Sequence, residues 1–385
     1  MASRPGPPLP DRRLWRKCLV GGDHANEQWS GHIIPRLLAT PAGTPGSPAT
    51  PRPLGSAPAP AGFIIGDMSF AGGRAFAIGT APGRGGATLV ASDDSGATWH
   101  LVGNVPLEGA APRVLSPTGY LRFGSTETGY AWDRSHLFIT HDGGTTWNMQ
   151  PPVNPQMPQE YVVDLAAYGD RAVRAVGSIP CICRLEYTVD GGRTWRDTGT
   201  APSSPSNATT KVVLQSDIAY ATQLGNPAGG GDGPAPLYVS TDGAKTWSVR
   251  STPCPGHQLT GDIAATAGHS VGILCLDRST TPYSATVLIS TDGGHTFRAG
   301  SQPVGVTPGQ LGGLALAGRA ASAVATESGV LLSTDGGQHW RQTLSCGPSW
   351  LGFESATEAH AVCGGNTVWR SNDGGQTWQK FSFPG

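Results

Sequence analysis

Apolar positions along this chain come in short alternating runs, rich in Val, Ile, Leu, Phe and Tyr, cut by Gly, Pro, Asp and Ser. No stretch holds a helical period, so the pattern predicts many short β-strands and essentially no helix. Residues 120–150 show the unit: strands over 120–125, 130–133, 137–140 and 146–150, with turn-forming residues between them. A turn followed by an apolar-alternating strand returns as GGRAFAIG (72–79), ETGYAW (127–132), GDRAVRAVG (169–177), SDIAYAT (216–222), AGHSVGIL (267–274), GRAASAVA (318–325) and EAHAVCG (358–364).

Downstream of each comes a second phrase, S/T-x-D-x-G-x-T-W, as in THDGGTTW at 140–147. Its aspartates are Asp94, Asp142, Asp190, Asp242, Asp292, Asp335 and Asp373, separated by 48, 48, 52, 50, 43 and 38 residues, the size of a four-stranded propeller blade. The Ser/Thr hydroxyl and the carboxylate suit the unpaired N–H groups of a tight hairpin, and glycine supplies positive φ. Trp99, Trp147, Trp195, Trp247, Phe297, Trp340 and Trp378 end the phrase with a large apolar ring for the blade interior. The expected fold is all-β: a seven-bladed propeller of four-stranded antiparallel blades over residues 62–385, preceded by an extension over 1–61.

The phrase resembles the Asp-box, or BNR, repeat of sialidases, two-domain xyloglucanases, sortilin-type ectodomains and the photosystem II assembly and stability factors. The resemblance covers about residues 62–385 and implies that the box is a structural turn on the face away from the binding site. One carboxylate per turn also lacks the second acid of a catalytic pair and the ligand count of a calcium loop, so no metal or cofactor is implied. The single propeller looks most like the photosystem II assembly-factor group, which implies a non-catalytic platform for a protein or glycan partner. The alternative is a glycoside hydrolase of the sialidase or xyloglucanase type. Against it, the sialidase R-I-P segment is absent, and Glu160–Tyr161 and Glu186–Tyr187 are strand neighbours that face opposite sides.

Composition narrows the partners. Net charge is −1, and no basic stripe interleaved with aromatics suggests nucleic acid. No apolar run reaches the length of a spanning helix, and a monomer is expected. The tract over 41–62 is rich in Pro, Ala, Ser and Thr and reads as an extended, disordered linker. No secretory signal is recognisable at the start. Two cysteine pairs occupy matching places, Cys254 with Cys275 and Cys346 with Cys363, and are read as intra-blade disulfides, which favours an extracytoplasmic setting. Cys181 and Cys183 form a strained pair or stay free, and Cys18 is left over.

Counting back nine residues from Phe76, Tyr130, Val173, Tyr220, Val271, Ser322 and His360 gives Asp67, Leu121, Asp164, Lys211, Asp262, Gly313 and Leu351 on the innermost strands. Three acids recur, so Asp67, Asp164 and Asp262 are candidates to converge in the central channel, with Lys211 and Arg122 nearby. The alternative is that each acid only satisfies a strand end or a neighbouring turn. The longest connections, 103–119, 197–210, 223–236, 249–261 and 276–285, fall on the rim opposite the boxes, and a partner footprint there would include some of Tyr283, His257 and Arg278.

Overall fold

The computed structural model describes residues 53–107, 119–153, 160–178, 181–200, 209–225, 235–256, 258–266, 268–277, 279, 283–300, 304–306 and 313–383. They form seven antiparallel sheets, each with its strands in sequence order a-b-c-d. Strands a are Ile64–Ala71, Tyr120–Phe123, Tyr161–Tyr168, Thr209–Gln215, Leu259–Ala265, Leu314–Leu316 and Trp350–Phe353. Strands b are Arg74–Thr80, Gly129–Trp132, Arg171–Ser178, Ile218–Leu224, Val271–Asp277, Ser322–Thr326 and Ala359–Cys363. Strands c are Ala87–Ser92, Leu137–Thr140, Cys181–Thr188, Leu237–Ser240, Tyr283–Ser290, Gly329–Ser333 and Thr367–Ser371. Strands d are His100–Val105, Asn148–Met149, Arg196–Asp197, Ser248–Ser251, Arg298–Ala299, Arg341–Leu344 and Gln379–Ser382. In blade 5, Val304–Val306 also pairs with the start of strand c.

Strands a, b and c are mostly buried and strand d is mostly exposed, as blades stacked face to face around an axis require. The apolar clusters lie between successive blades: Phe76, Leu89 and Ala91 of blade 1 pack with Leu121, Phe123 and Phe138 of blade 2. The seven-bladed β-propeller expected from the repeat is the fold observed.

Each box closes its c–d hairpin in the same way. In blade 2 the Thr140 hydroxyl donates to Asp142 Oδ1 (2.8 Å) and accepts the Gly144 N–H (2.9 Å). Asp142 Oδ1 also accepts the Thr146 N–H (2.9 Å), and Oδ2 accepts its hydroxyl (2.7 Å). In blade 6 His339 takes the threonine's place and its Nδ1 lies 2.7 Å from Asp335 Oδ2. Both turn residues after the aspartate have positive φ, including Ala244 at 69°, which replaces a glycine. Both cysteine pairs are bonded, Cys254–Cys275 and Cys346–Cys363.

The end of the Pro/Ala tract departs from the free linker expected. Ala57 to Ala59 run along strand d of blade 1, with Ala59 N–H donating to the Trp99 carbonyl and Leu101 N–H to the Ala57 carbonyl, both at 2.9 Å. An outer strand leaves its backbone groups unpaired, and an extended segment satisfies them even when rich in proline. Ala59 is buried in the cluster where Phe63, Met68 and Trp99 meet Val362, Val368 and Phe383, so the packed unit starts upstream of residue 62.

Candidate functional site

The innermost strands carry the channel residues. Aligned on the strand-b residue that pairs with the Ser or Thr of each box, Asp67, Asp164, Lys211 and Asp262 stand at one register position. Gly313, whose carbonyl accepts the Ala325 N–H, takes that place in blade 6. Blades 2 and 7 differ from the nine-residue count: the position belongs to Tyr120, paired with Trp132, and Trp350, paired with Val362, rather than to Leu121 and Leu351. The cause is turn length. Two residues join strands a and b in blades 1, 3 and 4, but five do so in blades 2 and 7. In blades 5 and 6 the counterparts of Phe76, one residue past the strand-b partner of the box serine, are Gly272 and Ala323 rather than Val271 and Ser322, and that slip cancels the longer turn.

All three acids are built into the backbone in the same way. Each follows a register slip, at Gly66, Val163 and Gly261, that re-aims the strand. Each then reaches across a seam. Asp67 Oδ2 accepts the Leu121 N–H (2.9 Å), Asp164 Oδ2 the Val212 N–H (2.9 Å) and Asp262 Oδ2 the Leu314 N–H (2.8 Å). The other oxygen of Asp67 accepts the Met68 N–H and that of Asp262 the Ile263 N–H. The acids thus staple blade 1 to 2, 3 to 4 and 5 to 6.

The cations alternate with them. Arg122 NH1 lies 2.8 Å from Asp67 Oδ2, and its guanidinium sits over the Trp132 ring, 5.9 Å from the centroid. Asp262, and next Asp164, holds the Lys211 ammonium above its ordinary pKa, although burial opposes this. Burial pushes the Asp164 carboxyl up against the pull of Lys211 and Arg122. Burial, with Asp164 and Asp67 beside it, also raises Tyr120, which is 42% exposed and stacks on Trp132. Among the described residues no group of three His, Cys, Asp or Glu could hold a metal ion.

A second cluster escaped the sequence reading. Arg174 and Glu186, 6% and 7% exposed, are paired across strands b and c of blade 3. Arg174 NH2 lies 2.6 Å from Glu186 Oε2, and the guanidinium stacks on Trp195 at 4.1 Å. Arg184 bridges Glu186 Oε1 (2.6 Å) and Glu160 Oε2 (2.9 Å), and Glu160 Oε1 is buried with no partner among the described residues. Glu186 turns to these arginines while Tyr187 packs toward blade 4, as strand alternation requires. The available signal was Arg174 in the middle of an otherwise apolar strand b.

The side chains of Tyr283, Cys181 and Cys183, with all of His257, Arg278 and Cys18, lie outside what the structure describes.

Residues 369–380, around the seventh box, match the family model described as BNR/Asp-box repeat. No curated protein matches the chain. Among solved structures, an ancestral GH74 enzyme is 11% identical, covering 86% of this chain and 47% of its own, with a TM-score of 0.57. A complex of KlAtg21 with the coiled-coil of AgAtg16 is 11% identical over 83% of this chain and 99% of its own, with a TM-score of 0.53. YCF48 bound to D1 peptide is 15% identical over 68% and 79%, with a TM-score of 0.48. This chain spans about half the length of that GH74 enzyme. At these identities the likeness is one of fold alone.

Proposed function

We propose that this chain is a non-catalytic binding or assembly scaffold, whose loop-bearing face and central channel meet a protein or glycan partner. The observation that carries this reading is how the channel acids are employed: Asp67, Asp164 and Asp262 each accept a backbone N–H from the next blade. Hydrolysis of a glycosidic bond needs two carboxyl groups that flank it and trade protons. A carboxylate engaged in joining two strands is poorly placed for that work, and Glu186 and Glu160 are enclosed by Arg174 and Arg184.

Recognition residues gather on loops carried by a rigid scaffold, so the footprint is assigned to the face opposite the boxes, with Tyr283, His257 and Arg278 as candidates. Two disulfides favour an oxidising, extracytoplasmic setting. Partner capture by the wild-type chain, by a variant lacking residues 226–232 and by Asp142→Ala tests the assignment. Capture lost on shortening the loop and kept in the box variant supports it. Turnover of fluorogenic sialosides or β-glucans that disappears with a channel substitution would overturn it in favour of a glycoside hydrolase.

A further inference from the structure

Resting on the channel as a recognition site, we infer that Asp262 is an unfilled seat for one cationic side chain, an arginine or lysine presented by a partner protein. The chain contains its own template for such a seat. At the first staple, Asp67 Oδ2 accepts both the Leu121 N–H and the guanidinium of Arg122, the residue that follows. At the third staple, Asp262 Oδ2 accepts the equivalent N–H, that of Leu314, but the next residue is Ala315. The carboxylate stands in the same register, holds the same strand and lacks the guanidinium.

The surroundings leave the place open. The inner positions of blade 6 beside it are Gly313 and Ala315, neither with an atom beyond Cβ, while in blade 7 the Trp350 ring lies over Gly352 and packs on Phe70 of blade 1. A Cβ added at Gly313 would lie 2.9 Å from Asp262 Oδ2, so glycine keeps that approach clear. Asp67 and Asp164 are 6% and 8% exposed, whereas Asp262 is only half-buried and is the staple that solvent reaches.

Charge decides the sign of the ligand. Asp67 and Arg122 neutralise each other at 2.8 Å. Farther round, Lys211 stands between two carboxylates, Asp164 and Asp262, neither of which has an ion pair within 4.0 Å among the described residues. Lys211 is shared between the two, so the solvent-reached Asp262 has no cation of its own among the described residues, and its carboxylate repels an anion and favours one cation. A guanidinium suits it best, being planar, more weakly hydrated than an ammonium and already accepted by the twin carboxylate.

The test titrates the full chain at low salt with Nα-acetyl-arginine amide and, as neutral isostere, Nα-acetyl-citrulline amide, read by calorimetry or NMR. Saturable binding of the arginine probe alone is expected. It should fall at least tenfold in Asp262→Asn and in Ala315→Arg, which supplies the guanidinium from within the chain. It should be unchanged in Asp217→Asn, an exposed acid in the a–b turn of blade 4. Equal binding of the two amides, no saturation, a neutral sugar bound in the same Asp262-dependent way, or full arginine binding by folded Ala315→Arg each overturns the inference. If Asp262→Asn fails to fold, Ala315→Arg still decides. Loop-dependent partner capture persisting while the arginine probe fails to bind would sink the cation seat and leave the scaffold reading standing.

Discussion

Arg174 and Glu186 meet across strands b and c of blade 3 at the register position where the other six blades hold apolar pairs: Ala77/Val90, Ala131/Phe138, Ala221/Tyr238, Ile273/Leu288, Val324/Leu331 and Ala361/Trp369. Removing one partner of a buried ion pair leaves the other charge uncompensated, at a cost of about 3–5 kcal/mol, while replacing both by apolar residues is often neutral or better. Glu186→Ala should therefore lower unfolding free energy by about that amount. The double variant Arg174→Ala/Glu186→Val, which installs the blade 1 pair, should recover part of it. Denaturant melts of the two single variants and the double variant check this; strict additivity would mean the pair is not coupled.

The staples predict a graded response to neutralisation. Asp→Asn keeps one oxygen acceptor but turns an amide N–H toward a backbone N–H, a loss of about 1–3 kcal/mol. Asp67→Asn should be the most destabilising of the three, because Arg122 also loses its partner. Asp164→Asn should be milder, because burial already raises that carboxyl. Thermal melts of the three variants rank them, and an Asp67→Asn effect no larger than that of Asp164→Asn would contradict the ion pair's role.

The blade count, the boxes and both disulfides were legible because each rests on a short local phrase that recurs. The channel was legible only in part. Asp67, Asp164 and Asp262 showed in the spacing, but the a–b turn changes length between blades, and a fixed count then landed on Leu121 and Leu351 instead of Tyr120 and Trp350. That the acids join seams could not be read, since each N–H donor lies 48 to 54 residues away on the next blade. Glu160, Arg184 and Glu186 were hidden for a similar reason: only the b–c register reveals that Arg174 faces Glu186.

Ring closure between blades 7 and 1 is predicted to depend on Phe383. Its ring meets Phe63 edge-on at 5.1 Å and Phe381 at 5.3 Å, with Trp99 at 5.8 Å, and the residue is 3% exposed. Phe383→Ala should cost about 3–5 kcal/mol. If the seam opens before the rest of the propeller, hydrogen exchange should rise first in strands a of blades 1 and 7. A melting point equal to wild type would place closure elsewhere.

For the boxes, Asp142→Ala removes the acceptor of the Thr146 N–H and of two hydroxyls. The expected result is a loss of about 1–3 kcal/mol with unchanged affinity for any captured partner. Wild-type melting combined with lost capture would move the box from scaffold to site.

Acid should destabilise the fold in two separate windows. Burial holds His360 below the ordinary histidine pKa of 6.5, against the Ser95 carbonyl that its Nε2 meets at 2.8 Å; the neighbouring charges are Arg370 and Glu358, and its ring stacks on Phe70 of blade 1. Above about 6.5 neither state carries the proton. As pH falls below that value the unfolded chain binds a proton that the folded seam refuses, so stability declines. The boxes act lower down. Thr377, through its hydroxyl and its N–H, brings Asp373 to about 2, and Asp190 and Asp242 also stand at about 2, where threonine hydrogen bonds outweigh partial burial. Their contribution is complete above the unfolded value near 3.8 and is lost as pH falls from there toward 2. Melting temperature followed from pH 8 to 2 should thus drop gently below 6.5 and steeply below 4. His360→Gln, which cannot titrate, should flatten the upper step and leave the lower one in place; an upper step of full size in that variant would assign it to another histidine.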